Sequence, residues 1–252
     1  MENPLIKTVK RSIFTRVPID TLTEEQAEGI FQDMASDGRQ HRIFLLTYKN
    51  YKKARRDEHF LKYIQESSLV IPVSKSLVWG MGFLNLPKPV LYHPFDFVIK
   101  LLSSMEEKSK TAYFIGGHHA EIQKIAHVVK TSFPRLRLVG RHVGFYPKEQ
   151  EESVITAIQK AGPTVLVVGP GVPGKQKWLY KQSSNLTVPV AIWSDTVFAI
   201  MAGRKNRPSR DSVAKGTYEM GGIWFKPWKW LRSFSYLGYF MVLLYYKVRK
   251  LN

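Results

Sequence analysis

The 252-residue chain contains no cysteine. That excludes a disulfide framework, a thiolate metal site and a cysteine nucleophile. Acidic residues are scarce: 20 Asp and Glu stand against 38 Lys and Arg, a formal net charge of +18. Such an excess predicts an anionic partner, whether nucleic acid, an acidic membrane surface or a phosphate-bearing substrate. Long apolar runs are missing as well. The uncharged stretch Ser233–Tyr246 falls short of the roughly 20 residues that a spanning helix needs. The N-terminal "MENPLIKTVKRS" has no apolar core of signal-peptide length, so a cytoplasmic location is expected. No Gly-x-Gly-x-x-Gly opens a helix with an acidic residue at the next strand end, which argues against dinucleotide binding. The Lys, Arg and Tyr run Tyr48–Asp57 has no RRM, KH or zinc-knuckle pattern beside it, so it is expected to be a solvated helix face and not a nucleic-acid surface.

What is present is a globular composition, 44% hydrophobic, sufficient for one large domain. Composition shifts near Gly203, dividing a core at 1–203 from an appendage at 204–252. Eleven Lys or Arg against Asp211 and Glu219 give that appendage a net charge of +9. It also carries "GGIWFKPWKWLRSFSYLGYFMVLLYYKVRK", dense in aromatic residues. Basic residues beside interfacial aromatics suit a segment lying on an anionic membrane; a helix packing its aromatic face on the core is the other expectation.

Within the core, short apolar runs alternate with helical patterns. "RIFLLT" (Arg42–Thr47), "SLVIPV" (Ser68–Val73), "TAYFIGG" (Thr111–Gly117), "LRLVG" (Leu136–Gly140), "TVLVVG" and "PVAIW" read as strands. A polar helix is expected around Tyr51–Glu66, and two more follow the Gly-Gly turn and Lys148. The fold class is α/β: a Rossmann-like, largely parallel sheet with helices on both faces, followed by a basic, aromatic helical appendage. Such sheets bind ligands at the carboxyl ends of their strands, so the loops after Thr47, Val73, Gly116, Gly140, Gly169 and Trp193 are expected to line a site.

"VLVVGPGVPGKQKW" (Val165–Trp178) has the spacing of a P-loop, but Gln176 occupies the position of the Mg²⁺-binding hydroxyl. Pro170 and Pro173 each remove a backbone donor. An ATPase is thereby disfavoured, while a Gly-rich turn for a diphosphate, or a tight turn with no ligand, stays open. His118 and His119, being adjacent on a helix, point about 100° apart and make a poor chelating pair. No metal site and no cofactor are expected. His142, in a Gly-rich stretch after a strand, is a candidate to line the site.

The segment Gly171–Trp178 resembles the Gly-x-Pro-x-x-Gln-Glu-x-Trp signature of the WecG/TagA/CpsF glycosyltransferase family. "YFIGGHHAEIQKIAHVVKTSFPRLRLVGRHVGFY", "ARRDEHFLKYIQESSLVIP" and "MAGRKNRPSR" resemble further motifs of the family, in order and at similar spacing. The resemblance covers about Ile43 to Arg232. It implies an inverting, metal-independent transfer of an N-acetylmannosamine-type sugar from a UDP-sugar donor to a polyprenyl-diphosphate-linked acceptor. That chemistry serves cell-envelope polysaccharide synthesis on the inner face of the cytoplasmic membrane. A peripheral attachment and a homo-oligomer are compatible with it. The resemblance carries substrate contacts over onto Gln176, Arg204, Arg207 and Arg232, and loosely onto Thr47 with Lys49 or Asn50; Gly116, Gly117, His142, Gly169 and Gly171 join them as positions in the loops at the strand ends.

Three elements depart from the family pattern. Val73 stands where the family has its proposed general base, an Asp, and Lys177 replaces a Glu. Asp195 and Thr196 replace a Gly-Gly pair. An inverting transfer needs a proton acceptor, and valine cannot serve. Asp195, at a strand end, is the candidate replacement, with a helix N-cap as its other reading. A slower enzyme driven by the leaving UDP, and an inactive paralogue that binds nucleotide-sugar or lipid-linked acceptor, are the remaining expectations.

Overall fold

The computed structural model describes residues 9–215 and 231–249, apart from the side chains of 210, 214, 215 and 231–235. A hairpin of β1 (Lys10–Phe14) and β2 (Val17–Thr21) precedes the main sheet. That sheet comprises β3 (His41–Leu46), β4 (Leu69–Pro72), β5 (Thr111–Ile115), β6 (Arg137–His142), β7 (Val165–Val168) and β8 (Val190–Trp193). Its order is β4-β3-β8-β7-β5-β6, and every pairing in it is parallel. The helices are α1 (Glu24–Met34), α2 (Tyr48–Ala54), α3 (Glu58–Gln65), α4 (Lys75–Phe83), α5 (Pro94–Glu107), α6 (His119–Ser132), α7 (Glu151–Ala161), α8 (Lys177–Lys181), α9 (Asp195–Met201), α10 (Arg210–Lys215) and α11 (Leu231–Arg249).

The α/β architecture follows from the sequence pattern. β4 and β7 are buried at every position and read as unbroken apolar runs, because helices cover both faces of the sheet. Alternate residues feed two cores. Ile43, Leu45, Leu69, Ile71, Val73, Val165 and Ile192 join α1, α5, α6 and α9 on one face. Phe44, Leu46, Val70, Leu166 and Val168 join α2, α3, α4, α7, α8 and α11 on the other. The open edge of β4 is covered by the hairpin: Asp20 Oδ2 accepts the Val70 N–H at 2.7 Å, while Arg11 grips the same carboxylate through two 2.7 Å bonds.

Three local expectations change. The helix expected over Tyr51–Glu66 is two helices, because Asp57 leaves helical geometry to accept the Phe60 N–H at 2.9 Å and caps α3. The helix expected from Lys148 starts as a 3₁₀ turn, Lys148–Gln150, before α7. The cap of α9 is Ser194, whose Oγ accepts from Val197 N at 3.3 Å, so Asp195 is not the N-cap. The hairpin had no sequence signal of its own. Its turn places Thr15 and Arg16 at positive φ (46° and 81°), where Asn-Gly or Gly would have announced it.

α11 docks across the carboxyl end of β3 and β4. The Tyr239 hydroxyl donates to the Ser76 carbonyl at 2.8 Å, and its ring meets Phe14, Tyr48 and Tyr51 edge-on. Gly80 in α4 leaves room for that hydroxyl, since any Cβ there would collide with it. Burial among these rings raises the Tyr239 pKa, so the phenol stays a donor.

Candidate functional site

Because the six strands are parallel, their following loops converge on one edge of the sheet. Three of these loops are tied into a knot of backbone bonds. Gly116 N–H donates to His142 O at 3.0 Å, Gly117 N–H to Pro170 O at 2.7 Å and Gly144 N–H to Gly117 O at 2.9 Å. Gly169 N–H donates to Ile115 O at 2.7 Å. Side chains have no place in this knot. A Cβ on Gly116 would stand 2.6 Å from Gly169 Cα, and one on Gly144 would strike the Pro170 carbonyl. Phe198 of α9 packs directly beneath Gly116 and Gly169.

The knot bears on the diphosphate cradle suggested by the sequence. The amides of Gly116, Gly117, Gly144 and Gly169 are already engaged with carbonyls, so these glycines serve close backbone approach. Gly171 (φ 100°) abuts Gly144 and Phe145, and Lys175, exposed, sits at φ 56° just before Gln176.

Gln176 is reached from the far side of the edge. Thr47 caps α2 by accepting the Asn50 N–H at 3.1 Å, which aims Asn50 outward. Asn50 Nδ2 then donates to Gln176 Oε1 at 3.1 Å, joining the β3 and β7 loops, 126 residues apart in sequence. Beside them, Ser74 Oγ accepts from Tyr48 N at 3.1 Å and ties the β4 loop to the same wall. Removing the bridge with Asn50→Ala frees Gln176 to rotate. One hydrogen bond of about 1 kcal/mol sets the scale. Isothermal titration with UDP-sugars is expected to show about 5-fold weaker binding, and unchanged affinity would place the pair outside the donor site.

The remaining candidates are distributed around this edge. His142 ends β6, and its Nδ1 donates to the Val143 carbonyl at 2.8 Å, leaving Nε2 as the basic nitrogen. Tyr146 packs edge-on against it at 5.7 Å, its pKa pushed up to about 12, first by burial and then by the Glu151 charge. Arg204 pairs with Glu121 Oε1 at 2.6 Å, while Glu121 Oε2 accepts the His118 N–H at 2.9 Å. Arg204 therefore stands next to the Gly117 turn. Arg207 goes elsewhere, to Asp96 at the start of α5 (2.6 Å) and over the Phe95 ring. The Arg232 side chain and the Trp-rich stretch 221–230 lie outside the described residues.

The departures from the family pattern have clear positions. Val73 is 2% exposed and belongs to the core beneath β4. Lys177 reaches away to Asp57 Oδ2 at 3.6 Å and lies over Phe60 and Tyr63. Asp195 is exposed at the end of β8, its Oδ1 accepting only the Thr196 hydroxyl at 3.2 Å among the described contacts. The side chains of Ser74 and Trp193 carry no signal of their own in the sequence. The Trp193 indole N–H, at the end of β8, is buried without a partner among the described residues. A lone Ser or Trp after a strand gives no spacing to recognise, so neither could have been found without the fold. Among the described residues no group of His, Asp and Glu is arranged to hold a metal ion.

A family model described as "Glycosyl transferase WecG/TagA/CpsF family" matches residues 12–252. The chain belongs to that family. It is 19% identical over 191 residues to a Bacillus subtilis protein named N-acetylglucosaminyldiphosphoundecaprenol N-acetyl-beta-D-mannosaminyltransferase, covering 76% of this chain and 74% of the relative. A Bacillus spizizenii protein of the same name is 21% identical over 192 residues, with the same coverage. WecG/TagA/CpsF membership makes this a glycosyltransferase-family protein, and the resemblance first seen at Gly171–Trp178 extends through the appendage.

Proposed function

We propose that this chain transfers an N-acetylmannosamine-type sugar from a UDP-sugar to a polyprenyl-diphosphate-linked acceptor, with inversion and with no cofactor or metal. The observation that carries this reading is the Asn50–Gln176 bridge beside the glycine knot. It sets two amide side chains and Lys175 on one side of the strand ends, with Asp195 and Arg204 presented by the β8 loop and the segment after α9. In the transfer, the acceptor hydroxyl attacks the anomeric carbon as the bond to UDP breaks. The hydroxyl proton passes to the Asp195 carboxylate, and Arg204, released from Glu121, offsets charge on the departing diphosphate. UDP release by the purified chain, measured with a panel of UDP-sugars and a polyprenyl-diphosphate-linked acceptor, tests this directly. Release that ignores the acceptor, or none with any donor, overturns it.

A second reading, an inactive paralogue that binds donor or acceptor without turnover, draws support from the burial of Val73 and from Lys177 turning towards Asp57. Donor binding without UDP release would select it.

α11 supports a place of action at the membrane surface. No described helix is long and apolar enough to cross a membrane. With one face docked through Tyr239 and Leu243, α11 turns Leu237, Met241, Leu244 and Val248 outward, all at least 40% exposed. A ridge of four large apolar residues facing away from the core is the reverse of an ordinary surface helix. Exposed Trp79 and Phe240 extend it, and Lys247 and Arg249 flank it. This pattern suits an interface-lying helix on an anionic bilayer at the inner face of the cytoplasmic membrane. Vesicle flotation is expected to fail for the Leu237→Glu, Met241→Glu double variant and to weaken with salt. Undiminished flotation of that variant would remove α11 from the attachment.

A further inference from the structure

Arg204 and Glu121 meet beside the Gly117 turn, and they are held there unequally. Gly203, at φ 75°, ends α9: its N–H donates to Ile200 O at 3.0 Å and the Arg204 N–H to Ala199 O at 2.8 Å. These two bonds form a Schellman motif, which fixes the Arg204 backbone just past the helix. The side chain is held more loosely. It is 50% exposed and meets Glu121 through one ion pair, Nε to Oε1 at 2.6 Å. Arg11 is the contrast. It takes Asp20 with two 2.7 Å bonds, donates also to the Ser67 and Ser68 carbonyls, and its carboxylate is 2% exposed. The Arg11 pair is structural, while the Arg204 pair is open to a competing anion.

Glu121 is the better anchored partner. Near the start of α6, its Oε2 accepts the His118 N–H at 2.9 Å and closes the helix end. Its carboxylate lies against the Gly-Gly turn: a Cβ on Gly117 would stand 2.6 Å from Oε2. The turn after β5 therefore carries a seated anion and a cation on a long, half-exposed arm. A diphosphate arriving at this edge meets a carboxylate that repels it and an arginine already engaged. It also brings more charge than the carboxylate and suits the planar guanidinium fork, so it can take Arg204 over.

We infer that Glu121 is a positioning residue for the donor: it holds Arg204 aside in the empty site, yields it to the diphosphate and recaptures it as UDP leaves. The inference rests on the transferase reading for the identity of that diphosphate. Glu121 thus weakens the hold on donor and product alike, which keeps UDP from lingering at the strand ends.

Isothermal titration of the full-length chain with UDP, and separately with inorganic pyrophosphate, tests this. Glu121→Gln keeps an acceptor for the His118 N–H, since Gln serves at that helix position, and removes the charge. It is expected to bind UDP about fivefold more tightly, the upper end of what a half-exposed ion pair contributes. In an Arg204→Gln background the same change is expected to give no gain. Damage to the fold would weaken binding, so tightening that depends on Arg204 reports the pair itself. Circular dichroism checks that the variants fold. The native chain supplies a second readout: the Arg204 Nε–H resonance is expected to shift on saturation with UDP. Unchanged or weaker UDP affinity in folded Glu121→Gln, an equal gain without Arg204, or an unmoved resonance at saturation overturns the inference. Pyrophosphate separates the two readings. If it binds and shows the gain while UDP does not bind, the transferase reading fails and the role of Glu121 stands. If neither ligand binds any variant, both fail.

Discussion

Replacing Asp195 by Asn is expected to lower turnover about 10²–10⁴-fold, the usual contribution of a general base, while UDP-sugar binding is retained. Ser194 supplies the side-chain oxygen that α9 needs, so the Asp195 carboxylate is not engaged in holding the helix. It stands exposed at the end of β8, between β3 and β7 in the sheet, next to the loops that the Asn50–Gln176 bridge joins. Asparagine keeps the shape and the bond from Thr196 but accepts no proton at neutral pH. Stability should change little, since the residue is exposed and the cap is elsewhere. Paired measurements of UDP release and donor titration check this, and rapid turnover in Asp195→Asn would rule out Asp195 as the base.

The fold was largely legible because its strands are buried on both faces. β3, β4, β7 and β8 appear in the sequence as apolar runs ended by Thr47, Val73, Gly169 and Ser194, and a parallel sheet follows from their alternation with helices. β6 is an edge strand whose exposure alternates, and its apolar signal ends at Gly140, two residues before the strand does. The positions at the strand ends were legible for a similar reason, since a parallel sheet fixes where its loops emerge. Their partners were not. Nothing in the sequence tells that Asn50 meets Gln176, that Arg204 chooses Glu121, or that Arg207 turns to Asp96. Those pairings are set by how helices on two different faces lean over one edge. The glycines play a part that their spacing does not announce. Amides that point into the open can bind phosphate, yet those of Gly116, Gly117, Gly144 and Gly169, drawn from three loops, close on neighbouring carbonyls.

Val73→Asp is expected to restore turnover in the Asp195→Asn background by about 10²–10⁴-fold, and to do so best at high pH. Val73 N–H donates to Leu46 O at 3.0 Å, so the backbone at the end of β4 is held whatever side chain it carries. The side chain itself lies in the core face with Ile71, Leu69 and Tyr92. A carboxyl placed there loses hydration, which costs about 1–3 kcal/mol and raises its pKa above the value in the unfolded chain. The sign follows from proton linkage. The folded variant holds this proton more tightly than the unfolded one, so its stability relative to the parent is best at acid pH. That stability is lost as pH rises towards the folded-state pKa. Activity runs the other way, because only the ionised carboxylate accepts the acceptor's proton. Denaturant titrations of Val73→Asp at several pH values should therefore show declining stability over the same range in which UDP release climbs. A folded double variant that binds donor and stays inactive at every pH would show that the end of β4 no longer faces the acceptor. A proton acceptor would then have to come from another strand end, with His142 Nε2 the next candidate at the end of β6.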